Sequence, residues 1–268
     1  MVLEPRKVEP GFARRWSGQA LELVTRSFHV WFGVCVVFCA ICAFLHQIEP
    51  EPLLFLPMGL FFYFTSVEFA AASDERVVQL SDVPGLLKLA GKGTLQDLWN
   101  KRWVLLGIVA VLTYSRYDQY VHPETVKHAA QQAEQLDLSN IWNWVIGVRS
   151  PLVLSSLVLL FGVMLQGQTF ALGCLAYPLM RAFDLNERRC SDLLHKAFFK
   201  NMLASLFLQV VPLVLVLTLG MVFPLATPFL MCFLPAVSYV AYREIFIDNN
   251  GNRQQAKAVA RKSAAQAA

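Results

Sequence analysis

Charge is scarce in this chain. Asp, Glu, Lys and Arg make up 16% of its 268 residues, and 56% are hydrophobic. An ordinary soluble domain is about 25% charged and about 45–50% apolar. The mean hydropathy is +0.47. Several stretches lack charge altogether and are long enough to cross a bilayer, for which about 20 residues suffice. The class this implies is a polytopic integral membrane protein.

Catalytic patterns are missing as well. The five histidines, His29, His46, His122, His128 and His195, form no HExxH and no set at ligand spacing. There is no GxxxxGK[ST] and no GxSxG. The fragment "AGKGT", 90–94, lacks the upstream glycine and the preceding strand that a phosphate loop needs. Enzyme, cofactor and metal readings therefore have no residues to stand on. The basic residues are accounted for by topology, below, so they do not argue for nucleic acid.

Disulfide patterning is absent too, although there are six cysteines. Cys174, Cys190 and Cys232 are scattered and suggest no framework. Cys190 falls on an expected cytoplasmic connection, where thiols stay reduced. Cys35, Cys39 and Cys42 read as C-x3-C-x2-C, the spacing of a radical iron–sulfur site. A cluster needs thiolates in a polar setting. Residues 28–45 contain no Asp, Glu, Lys or Arg. Positions i, i+4 and i+7 place the three thiols on one face of an uncharged helix. There a free cysteine acts as a small hydrophobe.

What is present is a set of six apolar segments, 28–45, 53–72, 103–115, 152–180, 202–223 and 225–242. The third is short and the fourth must tilt or bend. The first is preceded by 27 residues and lacks a small-residue cleavage site, so it is read as a retained helix. The basic residues sort by side. Twenty of the 23 lie before segment one, between two and three, between four and five, or after six. Only Arg116, Lys127 and Arg149 fall on the other side. Cationic loops stay in the cytoplasm, so the expected map has six spans, with both termini cytoplasmic, in the inner membrane.

The expected fold class is all-α, a transmembrane bundle with interfacial amphipathic helices. Its organisation is a lead over 1–27, a first membrane half over 28–115, an outer loop with a short helix over 116–151, a second half over 152–242, and a mobile cytoplasmic tail over 243–268. The lead is amphipathic. Phe12, Trp16, Ala20, Leu23 and Val24 share a stripe, and Arg14, Arg15, Gln19, Glu22 and Arg26 face away. Such a helix suits the membrane surface or a partner protein. Trp142 and Trp144 are expected interface anchors.

The two long inner connections resemble one another. Glu75-Arg76 and Ser81-Asp82 match Glu187-Arg188 and Ser191-Asp192, with unequal gaps. Ser or Asp is a favoured helix N-cap, so capping is expected there, with the Glu-Arg just before tying the loop down by an ion pair. Two copies of a three-span unit are the alternative, an arrangement found in transporters. Within the spans, Glu68 is a candidate by default, as any intramembrane carboxylate is. Gln166 and Gln168 are candidates for helix-to-helix glue.

The layout is similar to that of a broad set of bacterial inner-membrane proteins with six helices, a domain family of unknown function. The lead "GFARRWSGQALELVTRSFHVW", 11–31, and the closing "SYVAYREIF", 238–246, carry the resemblance. It implies a fold and a location, and no activity. The leading functional expectation is a non-enzymatic membrane component that acts through protein–protein assembly, as an accessory, scaffold or protective factor. Its partners would be the lipid bilayer and a membrane protein or a second copy of itself. The alternative is a small-solute transporter with Glu68, Gln166 and Gln168 lining a pathway between the repeats. A lipid-handling enzyme is disfavoured by the lack of paired carboxylates or a metal set.

Overall fold

The computed structural model describes residues 3–47, 52–100, 173–222 and 226–248. Among the described residues the chain is all-helical, with no strand. Helix α1 is Phe12–Arg26, α2 Phe28–Gln47, α3 Pro52–Glu75 and α4 Val83–Asn100. Helix α5 is Ala176–Phe183, α6 Glu187–Lys200, α7 Met202–Val222 and α8 Thr227–Tyr242. A π-helical turn, Arg243–Ile247, continues α8. The expected segment 103–115, most of 152–180, Gln166, Gln168, the outer loop and the distal tail lie outside the described residues.

Local chemistry sets the ends of these helices. Gly11 precedes α1 in the left-handed region at φ 79°, which glycine adopts without penalty. Pro52 opens α3, and its missing N–H is no loss in a first turn. Asp184 closes α5 in the left-handed region, a place that Asp tolerates better than most residues. Its N–H reaches the Met180 carbonyl. Asn186 caps α6 by accepting from the Arg189 N–H at 3.0 Å. Glu187 and Lys200 then sit at the ends that suit their charges.

Helix α8 is the centre of the molecule. All of its residues except Phe229 and Phe233 are buried, the mark of a helix covered on every side. It packs against α1, α2, α3 and α7. The continuous stretch Thr227–Ile247 is long and apolar enough to cross a membrane.

Helices α1 and α2 meet at 90°. The corner is Ser27, whose hydroxyl is held from two directions. The Ser73 hydroxyl donates to it at 3.0 Å, and the Val78 N–H donates at 3.0 Å. The end of α3 thus fixes the corner. The stripe on α1 is where the sequence puts it, but it faces protein. Trp16, Ala20, Leu23 and Val24 are buried, and Trp16 and Phe12 pack on Phe207 of α7 at 6.2 and 5.6 Å. An apolar face already covered by α7 and α8 is not free to enter lipid. This differs from the expected interfacial helix.

The segment before α1 is pinned too. The Arg6 N–H donates to the Ile245 carbonyl at 2.8 Å. Asn201, between α6 and α7, accepts from the Val8 N–H at 2.7 Å and donates to the Arg6 carbonyl at 2.8 Å.

Helix α4 turns back along α3. A side chain added at Gly91 would touch the ring of Phe61. Phe61 lies about 20 Å up α3 from Glu75, at 1.5 Å per residue. The connection after α3 therefore ends in a helix packed on α3, not in one that leads away from it.

Candidate functional site

Glu68 sits on α3 and is 2% exposed. Two residues of α5, one turn apart on one face, take up its carboxylate. The Tyr177 hydroxyl donates to Glu68 Oε1 at 2.6 Å. The Arg181 guanidinium forms an ion pair with the same oxygen. The Tyr177 ring is set by its neighbours. It stacks on Phe64, one turn before Glu68, with centroids 3.8 Å apart and planes 11° apart. On α4, Gly93 leaves room for it, since a Cβ there would lie 2.6 Å from the ring. Three helices, α3, α4 and α5, thus converge on one buried carboxylate. A buried charge needs a partner and hydrogen bonds, and Glu68 has both.

A second cluster lies about two turns further along α3. Asp74 pairs with Arg243 of the π turn, and the Tyr239 hydroxyl donates to it at 3.4 Å. Arg243 also donates to the Gln19 side chain of α1 at 2.9 Å. The adjacent Glu244 accepts from Arg15 at 2.6 Å and from the Trp16 indole N–H at 2.7 Å. The hydrogen bond to Glu244 is the main reason that the Arg15 pKa is raised. Arg26 donates to the Ser73 carbonyl at 2.9 Å. The π turn, with its extra residue, presents Arg243 and Glu244 in sequence to different partners. Such turns recur at functional positions.

The repeat-like residues behave unequally. Arg76 pairs with Asp82 at 2.7 Å. Asp82 also accepts from the Gln79 N–H at 2.9 Å. Glu75 is exposed. In the other connection Glu187 is half-buried and Arg188 is exposed, both in the first turn of α6. Neither serine caps a helix. Gln79 and Asn186 stand at the N-cap positions. Ser191 and Asp192 lie inside α6, where the Ser191 carbonyl contacts His195 Nδ1 at 3.0 Å. The shared letters fall on different parts of the helix: Asp82 takes part in a capping box with Gln79 just before α4, whereas Ser81, Ser191 and Asp192 cap nothing.

The three clustered thiols are buried, as the uncharged helix implies. Two of them face α8, where Cys232 Sγ lies 3.1 Å from Cys35 Sγ and Met231 Sδ lies 3.4 Å from Cys39 Sγ. Among the described residues no three His, Cys, Asp or Glu converge as metal ligands.

Sequence reasoning missed Tyr177, Asp74, Gln19 and Glu244 as members of these clusters. It used Arg181 and Arg243 only as topological charges, and Trp16 only as an apolar residue. One signal was present: Tyr177 and Arg181 are four apart on one helix face, at the inner end of segment four. Compared with known protein families, curated proteins and solved structures, the chain matches none.

Proposed function

We propose that this chain is an integral inner-membrane component that works by assembling with another membrane protein, without catalysis of its own. In this reading α2, α3, α7 and α8 are spans, together with 103–115 and 152–180, and both termini are cytoplasmic. Outward apolar side chains support it. Val36, Val37, Ile41 and Phe44 on α2, and Leu203, Leu206, Val210 and Val214 on α7, are exposed. Helix α4, folded along α3, adds length to the short third segment. With Gly91 level with Phe61, the exposed Lys88 and Lys92 lie beside α3 and not in a cytoplasmic connection, which takes two charges from the twenty that the topology counts there.

One observation carries the assembly reading. Large apolar residues stand out on the two inner connections, amid charge. Leu80 is 76% exposed next to Asp82, and Phe199 is 77% exposed next to Lys200. Neither stands alone in the sequence: Val77 is 59% exposed near Leu80, and Met202 and Leu203 are exposed just after Phe199, and apolar surface that is grouped, rather than scattered singly, marks contact sites. The buried charges, in contrast, are clamped to one another. A solute pathway needs polar groups that can exchange partners, and Glu68 is held by Tyr177 and Arg181.

The test uses full-length protein in mild detergent, with a photo-crosslinking residue at position 80 or 199. The expected result is one stoichiometric partner captured from both positions, with capture unchanged by Glu68→Gln. A chain that purifies alone, transports a solute in liposomes and loses that flux in Glu68→Gln would replace this reading with transport.

A further inference from the structure

Two sulfur contacts, one turn apart, register α2 against α8. Cys39 donates to the Met231 thioether. Cys35 and Cys232 bring their sulfurs to 3.1 Å, both 0% exposed, from positions 197 residues apart in the chain. That separation is about 1 Å more than a disulfide bond. Cys190, by comparison, faces the Ala176 carbonyl at 3.8 Å. The other side of α2 carries the exposed Val36, Val37 and Ile41, so an oxidant meets apolar surface first.

We propose that Cys35 and Cys232 are a two-electron redox pair, and that a lipid-soluble disulfide oxidises them to a bond that ties α2 to α8. The thiol of one cysteine attacks the reagent disulfide and forms a mixed disulfide, and the reagent sulfur that leaves carries off the proton as one reagent thiol. The thiol of the second cysteine attacks the protein sulfur, and its proton leaves with the second reagent thiol. The protein loses two protons and two electrons, and the reagent gains them. Burial restricts the reaction to oxidants that dissolve in lipid. Because α2 starts at the Ser27 corner and α8 ends in the π turn that holds α1, the bond would close a ring around the α1 contact.

The test treats the full chain in detergent or proteoliposomes with 4,4′-dithiodipyridine, then digests with trypsin. Cleavage at Arg26, Arg76, Lys200 and Arg243 gives peptides 27–76 and 201–243, and Cys232 is the lone cysteine of the second. The expected product is these two peptides joined, about 2 Da lighter than their reduced sum and separable by a reductant. Cys35→Ser should abolish the joined species, while Cys42→Ser should leave it. A wild-type digest in which 201–243 carries only the pyridyl adduct overturns the proposal. So does a joined species that persists in Cys35→Ser, which would assign the bond to Cys39 or Cys42. Where a variant does not fold, fragmentation of the wild-type joined species between Cys35 and Cys39 decides which cysteine holds the bond.

Discussion

After α3 the chain turns through Arg76 and Asp82, whose side chains pair at 2.7 Å in the open. After α5 it turns through Asp184 and Asn186, which cap the two helices on either side. The first connection leads into α4, which folds back on α3 and supplies Gly93 to the Tyr177 pocket. The second leads into α6, which buries Cys190, Leu193, Leu194 and Ala197 along one face. Similar letters thus serve a surface ion pair in one place and the first turns of a helix in the other. The difference teaches that a charge in this molecule matters by its depth. Glu68 and Glu75 are two turns apart on α3; one is locked away and the other is in the open.

That contrast can be tested at four strengths. The largest effect is on Cys190, on the covered face of α6. Burial pushes its thiol pKa up to about 12, with the Glu187 charge adding to it. At pH 8 its alkylation should be roughly 10³-fold slower than that of a free thiol, and should accelerate as pH approaches 12. The sign for stability follows. The unfolded thiol ionises near about 8.5, so this contribution is lost as pH rises beyond that value.

Next is Arg181→Leu, which leaves the Glu68 carboxylate with Tyr177 alone. Glu68 is buried but Arg181 is 43% exposed, so solvent screens part of the pair and the loss should be about 2 kcal/mol, between that of an exposed and of a fully buried pair, read as a lower thermal midpoint in detergent. Adding Glu68→Gln should recover most of the loss. If the double variant is no better than the single, burial of the carboxylate is not the cause. Gly93→Ala ranks third, since it forces the Tyr177 ring away from Phe64. Overpacking of this kind costs about 1–2 kcal/mol, because even a Cβ at that site meets the Tyr177 ring. Last comes the comparison of the two connections themselves. Asn186→Ala should cost about 1 kcal/mol through the lost cap. Arg76→Ala should change stability by less than about 0.5 kcal/mol, because Arg76 is 67% exposed and Asp82 keeps its hydrogen bond from the Gln79 N–H. Equal losses would erase the distinction between the connections.

Helix positions were legible because apolar runs leave little choice. Four of the apolar segments, 28–45, 53–72, 202–223 and 225–242, coincide with α2, α3, α7 and α8 to within three residues at each end. The amphipathic stripe of α1 was legible as well, down to Trp16, Ala20, Leu23 and Val24. What covers that stripe was not, since a periodic apolar face is the same whether lipid or protein lies against it. Glu68 could be singled out by its apolar neighbours. Its partners could not, because Tyr177 and Arg181 come from residues 109 and 113 positions later. The Ser-Asp match misled for a related reason. Capping depends on where a helix starts, and the two starts differ by several residues relative to the matched letters.

The position of α8 in the chain sets an order of events. Translation proceeds from the N-terminus, so α8 emerges after every helix it touches. Until then Trp16 lacks Glu244, Asp74 lacks Arg243, and Cys35 has no thiol opposite. Earlier helices must wait as loosely associated pieces. A chain stalled before residue 227 would lack its keystone and lie open to proteolysis.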